Sequence, residues 1–132
     1  MKKRVVLFLA VLLLLASVCW PVARARAAIM AAAGSCFMTP IGKSINYGGT
    51  TSSAQDEDVI RVTVILKEQR NGTWQEIARI SKELEDTDYV STSDTVTVSG
   101  GHYYKVFSTH YTKTGTVEST SSGHTSSYWI DS

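Results

Sequence analysis

From Val59 onward, apolar and polar positions alternate: Ile60, Val62, Val64 and Leu66 are separated by Arg61, Thr63 and Lys67 within one short stretch. A period of two is that of a strand with one face in a core. Asn71-Gly72 follows. That pair tolerates positive φ at both central positions of a tight hairpin, and it predicts a return strand from Thr73 to about Ser81 with Trp74, Ala78 and Ile80 on one side. Asp94 to Ser99 alternates again through Val96 and Val98, Gly100-Gly101 supplies the next turn, and His102 to Tyr111 is rich in aromatic and β-branched residues suited to a strand. After a turn near Gly115, Val117 to Thr120 and Tyr128 to Ile130 supply the last extended pieces, broken at Gly123. The run Gln75 to Glu85 comes closest to a helical apolar period, and its place in a hairpin assigns it to strand. Six to seven strands with turn signals about every ten residues predict an all-β antiparallel sandwich.

The N-terminus is patterned differently. Lys2, Lys3 and Arg4 precede an apolar run from Val5 to Val18, and a small-residue segment follows Pro21. This is the layout of a secretory signal peptide. The run of 14 residues is short of the roughly 20 that span a bilayer. Small-x-small sites at Ala23-Arg24-Ala25 and Ala25-Arg26-Ala27 predict cleavage after Ala27, with residues 1–27 as the signal and a product expected to be secreted without a stable membrane anchor. Cys19 leaves with the signal. Its lipidation is disfavoured, because Ala16-Ser17-Val18 lacks the Leu and the small residue that precede a lipid-modified cysteine. Cys36 is then the remaining thiol; flanked by Phe37 and Met38, it reads as a small buried hydrophobe, in a chain expected to be monomeric.

Removing the signal changes the charge balance, since five of the 13 basic residues lie in it and all 12 acidic ones lie beyond it. Eight basic against 12 acidic residues leave a net charge of −4, against nucleic acid as a partner. The acidic residues gather at Asp56 to Asp58 and Glu83 to Asp88, which read as solvated loops. Residues 28–58 are rich in Gly, Ser and Thr with little to bury, and predict a flexible leader with short, weak strands. Residues 59–132 carry the expected core.

The segment Asp94-Thr-Val-Thr-Val-Ser-Gly-Gly-His-Tyr-Tyr-Lys-Val106 resembles the corner between the fifth and sixth strands of immunoglobulin-like and fibronectin type III domains. There a Tyr two residues before an inward core residue bonds back to the corner backbone; Tyr104 and Val106 match it. The hairpin Val59 to Ser81, with Trp74 on its return strand, resembles the third strand of such domains and its neighbour. More widely, Asn71 to Trp74, Tyr89 to Ser93, Gly101 to Tyr104 and the tail Glu118 to Ile130 resemble a family of small secreted proteins of unknown function from Gram-positive bacteria. That resemblance implies compartment and domain, and no activity.

Candidate chemistry is sparse. The chain after Ala27 holds 30 Ser and Thr residues, yet no Gly-x-Ser-x-Gly elbow or other nucleophile signature marks one of them. His102 and His110 are eight residues apart on one strand, about 26 Å at 3.3 Å per residue, so they do not share an ion, and His124 reads as a surface residue. Asp56, Asp58, Asp86 and Asp88 lack the register of a calcium loop. Asn71-Gly72-Thr73 fits a glycosylation sequon, but the turn explains the same residues. No catalytic residue, metal or cofactor is indicated, and the chain is read as not an enzyme.

One feature points to binding. With Tyr104 and Val106 inward, the pleat places Tyr103, Lys105, Phe107, Thr109 and Tyr111 outward, with Ile65 and Ile77 beside them on the preceding hairpin. Aromatic and aliphatic side chains among lysines suit an interaction surface; a covering tail or a one-residue register slip would remove it. The sequence thus predicts a secreted binding or structural module acting on an unknown partner, protein or envelope component, with a toxin-like or antimicrobial effector as the alternative.

Overall fold

The computed structural model describes residues 32–132, and the expected signal segment and Cys19 lie outside them. The described chain is all-β, six strands in one antiparallel, curled sheet. Strand β1 (Ala33–Ile41) turns at Gly42-Lys43 into the long β2 (Ser44–Arg70). The Asn71-Gly72 turn, with φ of 51° and 76°, leads into β3 (Thr73–Thr97). Beyond Gly100-Gly101 come β4 (His102–Thr114), β5 (Val117–His124) and β6 (Tyr128–Ile130).

β2 organises the sheet. Its first half, Ser44–Ser52, lies between β1 and the second half of β3; its second half, Val59–Arg70, lies between the first half of β3 and β4. Between the halves the β2–β3 register shifts at Ser52/Glu57, and Asp86 opposite takes φ of 53°. A bulge bends and twists a strand. Here the two halves of β2 come to face each other: a Cβ built on Gly49 would stand 3.0 Å from a Val64 methyl and 3.3 Å from a Val62 methyl, and the Thr51 hydroxyl donates to the Arg61 carbonyl at 2.9 Å. Gly49 is glycine because its backbone is pressed on those side chains.

The core enclosed by this curl gathers Ile45 and Tyr47 from the first half of β2, Ile60, Val62, Val64 and Leu66 from the second, Val90, Val98, Tyr104, Val106 and Ile130. The alternation from Val59 is therefore realised as expected, and β4 keeps the expected register with Tyr104 and Val106 inside. On the far side β5 and β6 both pair with β4, β6 being held also by the Gly101 N–H donating to the Ile130 carbonyl at 2.7 Å. β1 meets β5 through Ala32, whose N–H donates to Ser119 Oγ at 2.8 Å and whose carbonyl accepts from the Ser121 hydroxyl at 2.6 Å.

Three expectations are corrected. Residues 33–58 are not weak strands: β1 and half of β2 run through them, and Ile45 and Tyr47 are fully buried. Their signal was faint because close packing requires glycine where a strand usually shows β-branched residues: Gly49 lies against Val62 and Val64, and Gly48 against Phe37 and the Thr92 backbone. The acidic runs are not loops either, since Asp56–Asp58 and Glu83–Asp88 lie within β2 and β3, and Glu57 is buried, accepting from the Ser53 and Thr114 hydroxyls. Finally, Trp74 does not share a face with Ala78 and Ile80. A second register shift, between Leu66 and Lys67, makes Ile77 the extra residue of a bulge, and one added residue exchanges the faces of everything beyond it. Ala78 and Ile80 pack on the core, while Trp74 turns outward.

Candidate binding face

The outer face centres on Phe107, opposite Ile65 of β2 on one side and His124 of β5 on the other. The Trp74 ring meets Phe107 edge-on, centroids 6.3 Å apart, and the His124 ring lies 6.0 Å away. Lys67 and Lys105 occupy directly opposed positions on β2 and β4. Lys67 Nζ stands 4.6 Å from the centroid of Phe107, and Lys105 Nζ lies 5.4 Å from Phe107 and 5.9 Å from Trp74. These are cation–π distances, in which the ammonium answers the negative face of the ring. Two residues toward the start of β4, Tyr103 pairs with Trp129 of β6, rings 5.0 Å apart at 65°. Both remain exposed, at 45% and 46%, and the Trp129 indole N–H donates to Asp131 at 3.1 Å.

Four of the seven residues singled out in the sequence, Ile65, Tyr103, Lys105 and Phe107, are brought together here, and Thr109 is exposed further along the same strand. Ile77 sits exposed on the bulge of β3. Tyr111 belongs to a separate group: Arg61 stacks on its ring at 4.7 Å, its hydroxyl donates to Glu118 at 2.8 Å, and Arg61 pairs with Glu83 at 2.7 Å. The Glu118 carboxylate, with some desolvation, raises the Tyr111 phenol above its ordinary range. Trp74, Lys67, His124 and Trp129 join the face without having been singled out. Trp74 was hidden by the bulge; Trp129 and His124 depend on which strand the tail joins, and β6 extends the sheet beside Tyr103.

The inner face of β4 holds the remaining chemistry. Tyr104 is buried, and its hydroxyl shares one proton between the Ser99 carbonyl and Glu68 Oε2, the latter at 3.0 Å. The corner resemblance anticipated the first partner and not the second. Glu68 is 2% exposed; burial works against its charge, but hydrogen bonds from Arg70 and Tyr104 and the nearby His102 outweigh this and hold its carboxyl below the ordinary range. Desolvation raises the Tyr104 phenol, the bond to Ser99 opposing it. Beside Arg70 and His102, with Gln69 and Asn71, opens a depression of about 470 Å³.

Further along, His110 is enclosed at 1% exposure. Its Nδ1 is 2.8 Å from Thr51 Oγ1 and its Nε2 2.8 Å from Ser108 Oγ. Since the Thr51 proton goes to the Arg61 carbonyl, donor inventory assigns the tautomer: Nδ1–H donates to Thr51, and Nε2 accepts from Ser108. Desolvation lowers the imidazole's pKa, the Thr50 backbone partly opposing it. The Ser108–His110 pair has the hydrogen-bond direction of a nucleophile and its base, but a hydroxyl stands where an orienting carboxylate would. It is also packed under Gly34, where a Cβ would fall 2.0 Å from the ring. Cys36 is half-buried against the core, its Sγ 4.0 Å from the Val106 carbonyl.

No family model matches the chain, and no curated protein does. Among solved structures it is similar to the sporulation control protein Spo0M from Bacillus subtilis, at 9% identity and a TM-score of 0.43, over 79% of this chain and 51% of that one. The chain thus spans about half the length of that protein.

Proposed function

We propose that this protein is a secreted, non-catalytic binding module, of immunoglobulin-like or fibronectin-like sandwich type, that engages a component of the bacterial cell envelope through its outer sheet face. The reading places it with the small secreted proteins of Gram-positive bacteria that its motifs resemble. The observation that supports it is the face itself: Phe107 and Trp74 with Lys67 and Lys105, and the pair Tyr103 and Trp129, lie on one side of the sheet. Large aromatic side chains left on a surface contribute little to folding, whereas they are enriched where partners dock. The signal-like N-terminus supports the compartment.

The test uses the purified protein with whole cells and isolated envelope. Phe107→Ser removes the ring at the centre of the face and is expected to lower retention about tenfold, the equivalent of about 1.4 kcal/mol, with the thermal midpoint nearly unchanged. Retention equal to that of the parent protein overturns the proposal.

A further inference from the structure

We infer that the ligand of this face is an acidic glycan, a polymer of sugar rings bearing carboxylate or phosphate groups; the inference rests on the binding-face reading above. The first observation is electrostatic. Lys67 and Lys105 stand directly opposite each other on neighbouring strands, an arrangement that costs stability when the charges are alike. Neither has a carboxylate within ion-pair distance among the described residues. Glu76, across from Lys67 on the other side, is turned to Arg79, which donates to it through Nε at 3.0 Å and Nη2 at 2.6 Å. Residues 32–132 carry eight basic and 12 acidic side chains, and in that setting an opposed, unpaired lysine pair is a local site for an anion.

The second observation is the aromatic platform next to it. Phe107 and Trp74 already have ammonium groups over them, whereas the pair Tyr103–Trp129 is half exposed and carries no cation among the described residues. Lys105 is the next residue after Tyr103 on the same face of the strand, so the anion site borders the platform. The negative face of an aromatic ring attracts weakly positive hydrogens, which the C–H faces of a pyranose supply while its acidic substituent reaches the lysines. Trp129 also lines a depression of about 320 Å³ whose charged residues are Lys43 and Asp131.

The third observation bears on a competing occupant. An extended peptide gains affinity by adding a strand to a free edge, but β4 is paired on both sides, by β2 and by β5 and β6. Its backbone groups are used, and the face offers only side chains.

The experiment measures binding of the purified protein to polygalacturonate and to hyaluronate, with dextran, polyglutamate and phosphatidylglycerol vesicles alongside. Binding to at least one acidic glycan is expected, with little to dextran. The double variant Lys67→Gln/Lys105→Gln and, separately, Trp129→Ser are each expected to weaken it about tenfold or more, with urea unfolding curves close to the parent's. The inference is overturned if neither acidic glycan binds, if polyglutamate or the vesicles bind as tightly, or if Trp129→Ser has no effect. Any of these with a loss of envelope retention in Phe107→Ser leaves the binding face standing with a different ligand; unchanged retention in that variant fails both.

Discussion

β4 places five side chains on each of two faces over the same ten residues, His102 to Tyr111 with Thr112 beyond, and the faces obey different rules. Inside, Tyr104 and Val106 join the apolar core, and then the strand turns polar at Ser108, His110 and Thr112 without ceasing to be buried. Ser108 bonds His110 and His110 bonds Thr51, and among the described residues no fully buried side-chain nitrogen or oxygen lacks a hydrogen bond. Outside, Tyr103, Lys105 and Phe107 meet rings and cations but no carboxylate. Burial makes an unmatched polar group expensive, so the inner face is closed chemistry. Water relaxes that demand, and the outer face keeps two lysines that rest on aromatic rings and pair with no carboxylate among the described residues. The Ser108–His110 pair has the elements of catalysis and no access, while the lysine–aromatic patch has access and open valence.

The sharpest way to break this comparison is to introduce the same hydroxyl on each face in turn. Val106→Ser removes buried methyls and adds a polar group to the core, with an expected loss of about 2–4 kcal/mol in urea unfolding. Phe107→Ser, one residue away, is expected to cost less than about 1 kcal/mol, since its contacts are a partial ring pair and two surface lysines. Equal losses would mean that the two faces are not energetically distinct.

A smaller effect is expected from Tyr104→Phe, which keeps the ring and removes the hydroxyl from both Ser99 and Glu68. The loss is expected at about 1–3 kcal/mol because one acceptor is a buried carboxylate. An unchanged unfolding midpoint would remove the polar role given to this corner.

The smallest effect is the pH dependence of the His110 end. Its folded imidazole is held below the ordinary value, so the unfolded chain binds a proton more readily. The associated stability is therefore fully present above the unfolded value of about 6.5 and is lost as pH falls below it toward the folded value. Thermal midpoints taken from about pH 7.5 down to about 5 are expected to fall, and His110→Asn is expected to flatten that slope. Persistence of the same slope in His110→Asn would place the titration elsewhere.

Much of this was legible in the residues themselves. Alternation from Val59, the Asn71-Gly72 turn and the Tyr104-x-Val106 corner gave strands, hairpin and the register of β4, because each is a local rule of backbone and pleat acting over a few residues. The same rules misplaced Trp74, since a single bulged residue at Ile77 leaves no mark in the pattern and yet exchanges the faces of what precedes it. They also undervalued residues 33–58, where a strand pressed against another needs glycine rather than bulk. Partnerships across long separations were beyond them altogether: Thr51 with His110, Glu68 with Tyr104 and Tyr103 with Trp129 are 59, 36 and 26 residues apart and meet only because β2 bends and the tail returns to β4. Local chemistry determined the strands from Val59 onward and the inward side of β4; the bulges and the curl of the sheet decided the rest and which sides meet, because that depends on the summed burial of both halves of β2 and on no single stretch of sequence.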